Sequence, residues 1–171
     1  MSTTCSTFPS WVVEPMTSIE EAIKLGQYTN HYKFITNETV QLPTAKGKKQ
    51  VFAVPLAKDE NGPGVMERLK QCGLKLCVNA PSYLAGLMAS VPESEMPAEL
   101  NGTSFVAAEP NNTSSVIAGK FGDSYFLYVG RETGGKARRR LHLLSVDDKE
   151  WRGNLALLAE QDLAGHSAPR V

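Results

Sequence analysis

The chain carries no surplus of either charge: eighteen basic and eighteen acidic side chains cancel, and the pI is near 6.8. A protein that engages nucleic acid or an anionic membrane over its whole surface shows a basic excess, so that mode is excluded while a local basic patch is not. Long apolar runs are missing as well. Nowhere do about 18 apolar residues follow one another, which is what a membrane-spanning helix needs. Cysteine is scarce. Cys5, Cys72 and Cys77 are an odd number without the density of a disulfide scaffold, and they read as reduced thiols. Residues 1–10 contain neither a basic residue nor an apolar stretch, so the expectation is no secretory leader and a cytoplasmic protein. Asn37, Asn101, Asn111 and Asn112 each open an Asn-x-Ser/Thr triplet. Without a leader these triplets read as polar turns and not as glycan acceptors.

What is present is ordinary globular material. The 171 residues, with 42% apolar and 21% charged side chains, suit one domain that buries a core. The expected division is a flexible segment over 1–16, an α+β domain over 17–163 and a tail over 164–171. Ser18 and Glu21 form a capping box, and Ile19, Ala22, Ile23 and Leu25 give the helix that follows an apolar side before Gly26. Strands are expected over 32–36 and 50–56. A second helix with Val65, Met66, Leu69 and Cys72 on one face ends at Gly73, and a short strand follows over 74–78. Asn79 and Pro81 open a third helix, on which Leu84, Leu87, Met88 and Val91 recur at helical spacing. Beyond residue 100 the chain reads as short strands over 103–108, 114–118, 124–129, 140–146 and 154–160, with a helix as the alternative for the last. Two or three short helices early and strands late predict an α+β fold whose antiparallel sheet comes mainly from the C-terminal half.

The sharpest local motif is Gly130-Arg131-Glu132-Thr133-Gly134-Gly135-Lys136-Ala137, which fits the spacing of a phosphate-cradling loop. Ala137 stands where a hydroxyl should ligate magnesium. The Arg138-Arg139-Arg140 run would also put positive charge in a first helical turn, against the helix dipole. A Gly-Gly hairpin between two strands is the better reading. Arg131, Lys136, Arg138, Arg139 and Arg140 nevertheless make a basic loop, and Lys46, Lys48 and Lys49 a second one. Strand alternation sends Arg138 and Arg140 to one face and Arg139 to the other. Trp151 follows an acidic turn and could anchor a partner or close the core. Cys72 and Cys77 stand at a spacing that zinc ligands use, but no second Cys/His pair accompanies them, so no metal and no cofactor are expected. His31, His142 and His166 are isolated in sequence, and no nucleophile signature supports a Cys–His pair.

Over residues 65–160 the chain resembles a pattern found in small bacterial proteins. A glycine-containing step over 73–78 leads to the leucine-rich helix over 81–91. Short strands follow, then Arg140-Leu141-His142-Leu143, Trp151 and a Leu/Ala-rich strand over 155–159. The closing Leu, Trp and Leu-Ala arrangement is similar to that of C-type-lectin-like domains. The cysteines are not placed as the disulfides of such domains, and Glu109-Pro110-Asn111 lacks the companion triplet of their calcium site. The resemblance implies no activity and transfers no residue roles.

These features favour binding over catalysis. The leading expectation is a non-enzymatic interaction module, adaptor-like or inhibitor-like, that holds a protein partner through Arg131, Lys136, Arg138, Arg139, Arg140 and Trp151. The alternatives are a nucleic-acid or phosphate-ligand binder using the 131–140 loop with Lys46, Lys48 and Lys49, and a small enzyme built on Cys72, Cys77 or a histidine. Self-association stays open, and no membrane partner is expected.

Overall fold

The structure is a computed structural model that describes residues 8–26, 30–31, 35–38, 40, 42–56, 62–100, 102–107, 116–118, 123–132, 138–145 and 155–162. Its strands are β1 (Ser10–Val13), β2 (Asn30–His31), β3 (Lys49–Pro55), β4 (Leu74–Leu76), β5 (Ser104–Ala107), β6 (Val116–Ala118), β7 (Asp123–Glu132), β8 (Arg138–Ser145) and β9 (Leu155–Gln161). The helices are α1 (Ile19–Leu25), α2 (Gly62–Gln71) and α3 (Ala80–Ser90), with two short 3-10 turns after α3. This is an α+β fold, with its helices in the N-terminal half as expected. The strands, however, are drawn from the whole chain, not mainly from its C-terminal half. They join one sheet in the order β1-β3-β9-β5-β7-β8-β2, with β4 beside β9 and β6 beside β7. The sheet is mixed: β5 runs parallel to β9 and β2 parallel to β8, while the other pairs are antiparallel. No helix among the described residues is long and apolar enough to cross a membrane.

Side chains on successive residues of a strand point to opposite faces, and here both faces are covered. Val51 and Ala53 of β3, Phe105 and Ala107 of β5, and Ala156 and Leu158 of β9 join one apolar cluster with α1 and α3. Their neighbours Val54, Val106, Leu157 and Ala159 join a second cluster with Val65 and Leu69 of α2 and Leu74 and Leu76 of β4. A strand buried on both sides loses its polar alternation, and for that reason 154–160 could pass for a helix in sequence. It is β9, at the middle of the sheet. α3 is likewise buried almost all round, from Ala80 to Met88.

Local signals place the helix ends. Ser18 Oγ accepts the Glu21 N–H at 3.1 Å, as a capping serine does. Glu20 Oε2 accepts the Asn37 N–H at 2.9 Å and Asn37 Oδ1 accepts the Glu20 N–H at 3.2 Å, so this pair ties the start of α1 to the segment around Asn37. Asn79 opens α3 in the left-handed region (φ 59°) without a side-chain cap bond, and Gly73 (φ 71°) makes the left-handed turn between α2 and β4. β7 and β8 pair antiparallel up to Glu132 and Arg138. The Gly130–Lys136 motif therefore begins inside β7, and Arg138, where a phosphate-cradling loop would already have entered its helix, is in β8; residues 133–137 lie outside the described residues.

Candidate functional site

The expected basic surface divides on inspection. Arg131 and Arg139 are 4% and 2% exposed, and their guanidinium groups point into the protein. Arg131 Nη1 donates to the carbonyls of Leu100 at 2.6 Å and Thr103 at 3.0 Å, and the group lies 5.4 Å from the Phe105 ring centroid. Arg139 Nη1 donates to Gly26 O at 3.0 Å and Met88 O at 2.7 Å, and Nη2 donates to Val91 O. Gly26 closes α1, and Met88 and Val91 lie at the end of α3, so one cation caps both helix C-termini, where the orphan carbonyls and the dipole favour positive charge. Both arginines, expected on a partner-binding surface, are buried and act as internal clamps. Arg140 is half-buried on the other face of β8, so the expected alternation of Arg139 and Arg140 holds. Arg138 is in β8 opposite Glu132. Lys136 and Trp151 lie outside the described residues.

The second basic loop divides too. Lys46 and Lys48 are exposed, but Lys49 is drawn inward as the first residue of β3. Its Nζ donates to Glu160 Oε2 at 2.7 Å and to Val78 O at 3.2 Å, and sits 4.4 Å from the Tyr83 ring centroid. Glu160 Oε2 also accepts the Val78 N–H at 2.8 Å, and Tyr83 Oη donates to Gly47 O at 2.8 Å. Burial pulls the Lys49 ammonium down, but the hydrogen bond to Glu160, with further help from Cys77, Glu160 and Tyr83, outweighs it and holds the pKa above the usual lysine value. Burial raises the Tyr83 phenol against the opposing pull of Lys49. The cluster ties β3, β9 and the start of α3 together. Cys77 is fully buried, its thiol donating to Val78 O at 3.5 Å, and Cys72 is disulfide-bonded, which corrects the expectation of reduced thiols throughout. His31 lies in β2, His142 in β8, and His166 outside the described residues.

Sequence reasoning missed the feature best placed to meet another molecule. Residues 10–13, assigned on sequence to a flexible segment, form β1, which stands at the edge of the sheet among the described residues. The Ala53 N–H donates to Pro9 O at 2.9 Å, and Ser10 faces Phe52. In an antiparallel pair the bonded and non-bonded residue pairs alternate. The backbone groups of Trp11 and Val13 therefore point to β3, and those of Ser10 and Val12 point away from the sheet. Beside this edge lies a groove of about 430 Å³, walled by Val12, Glu14 and Met16 on one side and by Gly86, Ala89 and Ser90 of α3 on the other, with Leu25 and Lys48 at its rim. Val12 is 69% and Leu25 50% exposed, so two of the four exposed large apolar side chains among the described residues line one groove. Glu14 and Lys48 give it one charge of each sign. The walls are fixed where β1 leaves the sheet. Met16 N–H donates to Ser82 O at 3.0 Å, and the Glu14 carbonyl lies where a Cβ on Gly86 would be.

No family model, no curated protein and no solved structure matches the chain.

Proposed function

We propose that the chain is a non-enzymatic interaction module that takes an extended segment of a protein partner along the outer edge of β1, seating apolar side chains in the groove beside α3. The outward-facing backbone of Val12 next to an apolar groove carries the reading. Strand addition to an open edge supplies main-chain hydrogen bonds, and an adjacent pocket supplies side-chain selectivity. Glu14 and Lys48 favour a segment with charges of both signs flanking its apolar residues. Arg131 and Arg139 leave the proposed contact surface because their side chains are buried, while Lys136, Arg138, Arg140 and Trp151 stay in the proposal as further candidate contacts.

Panning a random peptide library against the immobilised protein is the test. Apolar, β-prone peptides should be recovered. They should fail to bind Val12→Pro, which removes only an outward N–H and so leaves the β1–β3 bonds intact. Ala89→Arg, which fills the groove, should also abolish binding, and both variants should keep the wild-type circular dichroism. Peptides that bind Val12→Pro as tightly as the wild type would overturn the reading. The nucleic-acid alternative takes its place if a single-stranded oligonucleotide binds with steep salt dependence and is lost in a Lys46→Ala/Lys48→Ala variant.

A cytoplasmic location fits the sequence but sits poorly with the disulfide at Cys72, since such bonds persist in oxidising compartments.

A further inference from the structure

We infer that the outer edge of β1 also takes a second copy of this chain, β1 pairing antiparallel with β1 about a two-fold axis at Val12. The segment Pro9-Ser10-Trp11-Val12-Val13-Glu14-Pro15 reads nearly alike from both ends. Pairing it with itself at Val12 sets Ser10 opposite Glu14, Trp11 opposite Val13 and Pro9 opposite Pro15, so that polar meets polar and apolar meets apolar. A two-fold interface needs such a segment, because the same patch must fit itself. Edge strands that avoid self-pairing carry a lysine, an outward proline or a bulge, and β1 has none of these in its continuous register with β3.

The backbone supports the same centre. Both polar groups of Val12 point away from β3, so two facing Val12 residues exchange both N–H···O bonds, as a bonded antiparallel pair does. The Val13 carbonyl points to β3, and the N–H across that planar peptide, which is Glu14's, therefore points outward. It meets the outward Ser10 carbonyl of the second copy. Pro9, whose carbonyl accepts the Ala53 N–H, takes no donor from this outer row. The Glu14 carbonyl is turned to Gly86 and the Met16 N–H is held by Ser82 O, so the ladder closes at Glu14.

The side chains agree. Ser10 Oγ accepts from Gln50 Nε2 at 3.0 Å, and a hydroxyl that accepts keeps its own proton to donate. The exposed Glu14 carboxylate of the second copy lies directly opposite as its acceptor. Glu14 is the one charged residue of the segment, and its two copies stand about 13 Å apart along the strands, so no like charges face each other. On the other face half-buried Trp11 comes beside Val13 of the second copy, next to the groove between β1 and α3. Stable complexes engage about 20–30 residues a side. This segment with its groove engages fewer, so the dimer is reversible and competes with a peptide for the edge. The inference rests on the open edge proposed above, but its readouts need no peptide.

Sedimentation equilibrium of the full chain, without peptide, should give a mass that rises from 18.6 kDa toward twice that value between micromolar and millimolar concentration. Over the same range amide exchange should slow about tenfold at Val12 and Glu14 and hold steady at Trp11 and Val13. Val12→Pro should weaken association about 30-fold or more, since each copy loses its donor at the axis. Val12→Cys should yield a linked dimer that mass spectrometry maps to position 12, because a bonded pair sets the two Cα atoms about 5.5 Å apart. Ser10→Cys, about 13 Å from its own copy, should not. A mass that stays at 18.6 kDa overturns the inference, whatever peptide panning gives. Association unchanged in Val12→Pro, or a link formed by Ser10→Cys in place of Val12→Cys, overturns the axis at Val12. A dimer with the expected pattern and no peptide recovered upholds the inference and overturns the peptide reading alone.

Discussion

Arg139 shows how one side chain can decide where two helices end. Its guanidinium donates to carbonyls at the C-termini of α1 and α3, groups that a helix cannot satisfy from within. Arg139→Met keeps the volume of the stem but strips those acceptors of their donor. Each buried acceptor left bare costs on the order of 1–3 kcal/mol, and a total near 3 kcal/mol is expected because the helix ends can relax toward water. Urea unfolding should show a lower midpoint with an unchanged slope, whereas Lys46→Ala, at an exposed position, should stay within about 0.5 kcal/mol. A loss below 1 kcal/mol in Arg139→Met would mean that the carbonyls find other donors. The Arg138-Arg139-Arg140 run was legible in sequence as two faces of a strand, and Arg139 and Arg140 alternate accordingly. Which face points inward was not legible, because that depends on α3 ending beneath β8, a meeting of residues some fifty positions apart.

Between elements, the Lys49 cluster and Gly86 do the joining. The pKa values of Lys49 and Tyr83 are both raised in the folded protein. A group whose pKa is raised on folding contributes stability that is complete below its unfolded value and fades as pH climbs through the folded one. For a lysine and a tyrosine that window opens above about pH 10. Unfolding free energy should therefore fall as pH rises beyond that point, and Lys49→Met should flatten the fall. An equal alkaline slope in Lys49→Met would remove Lys49 from the account. Gly86 acts by what it lacks. A Cβ there would meet the Glu14 carbonyl, backbone that cannot swing aside as a side chain would. Gly86→Ala should push the segment after β1 away from α3, lowering stability by about 1–3 kcal/mol, as overpacking does, and speeding exchange at the Met16 amide. The helical pattern of α3 was plain in sequence. The need for glycine on it was not, since the atom it makes room for belongs to a segment read as flexible.

At the scale of the molecule, helices and individual strands were readable from local signals, while the order of the strands was not. β1 meets β3, β3 meets β9 and β2 meets β8 across long stretches of chain, and no local pattern encodes such pairings. The doubly buried strands show the same gap from another side, for an apolar run says that a segment is inside without saying what covers each face. The arrangement has a consequence for cooperativity. Leu157 and Leu158 are neighbours in β9, yet Leu158 packs in the cluster under α1 and α3 and Leu157 in the cluster under α2. Because one strand carries both cores, neither can melt while the other stays intact. Leu157→Ala and Leu158→Ala should each cost about 2–5 kcal/mol. Each should shift a single unfolding transition that circular dichroism and amide exchange at β3 report at the same denaturant concentration. Two separated transitions in either variant would mean that the faces fold as independent units and that β9 joins them only loosely. With a single transition, loss of either leucine weakens β3 from beneath and with it the hold on β1, so peptide binding at the groove should decline in step with stability in both variants.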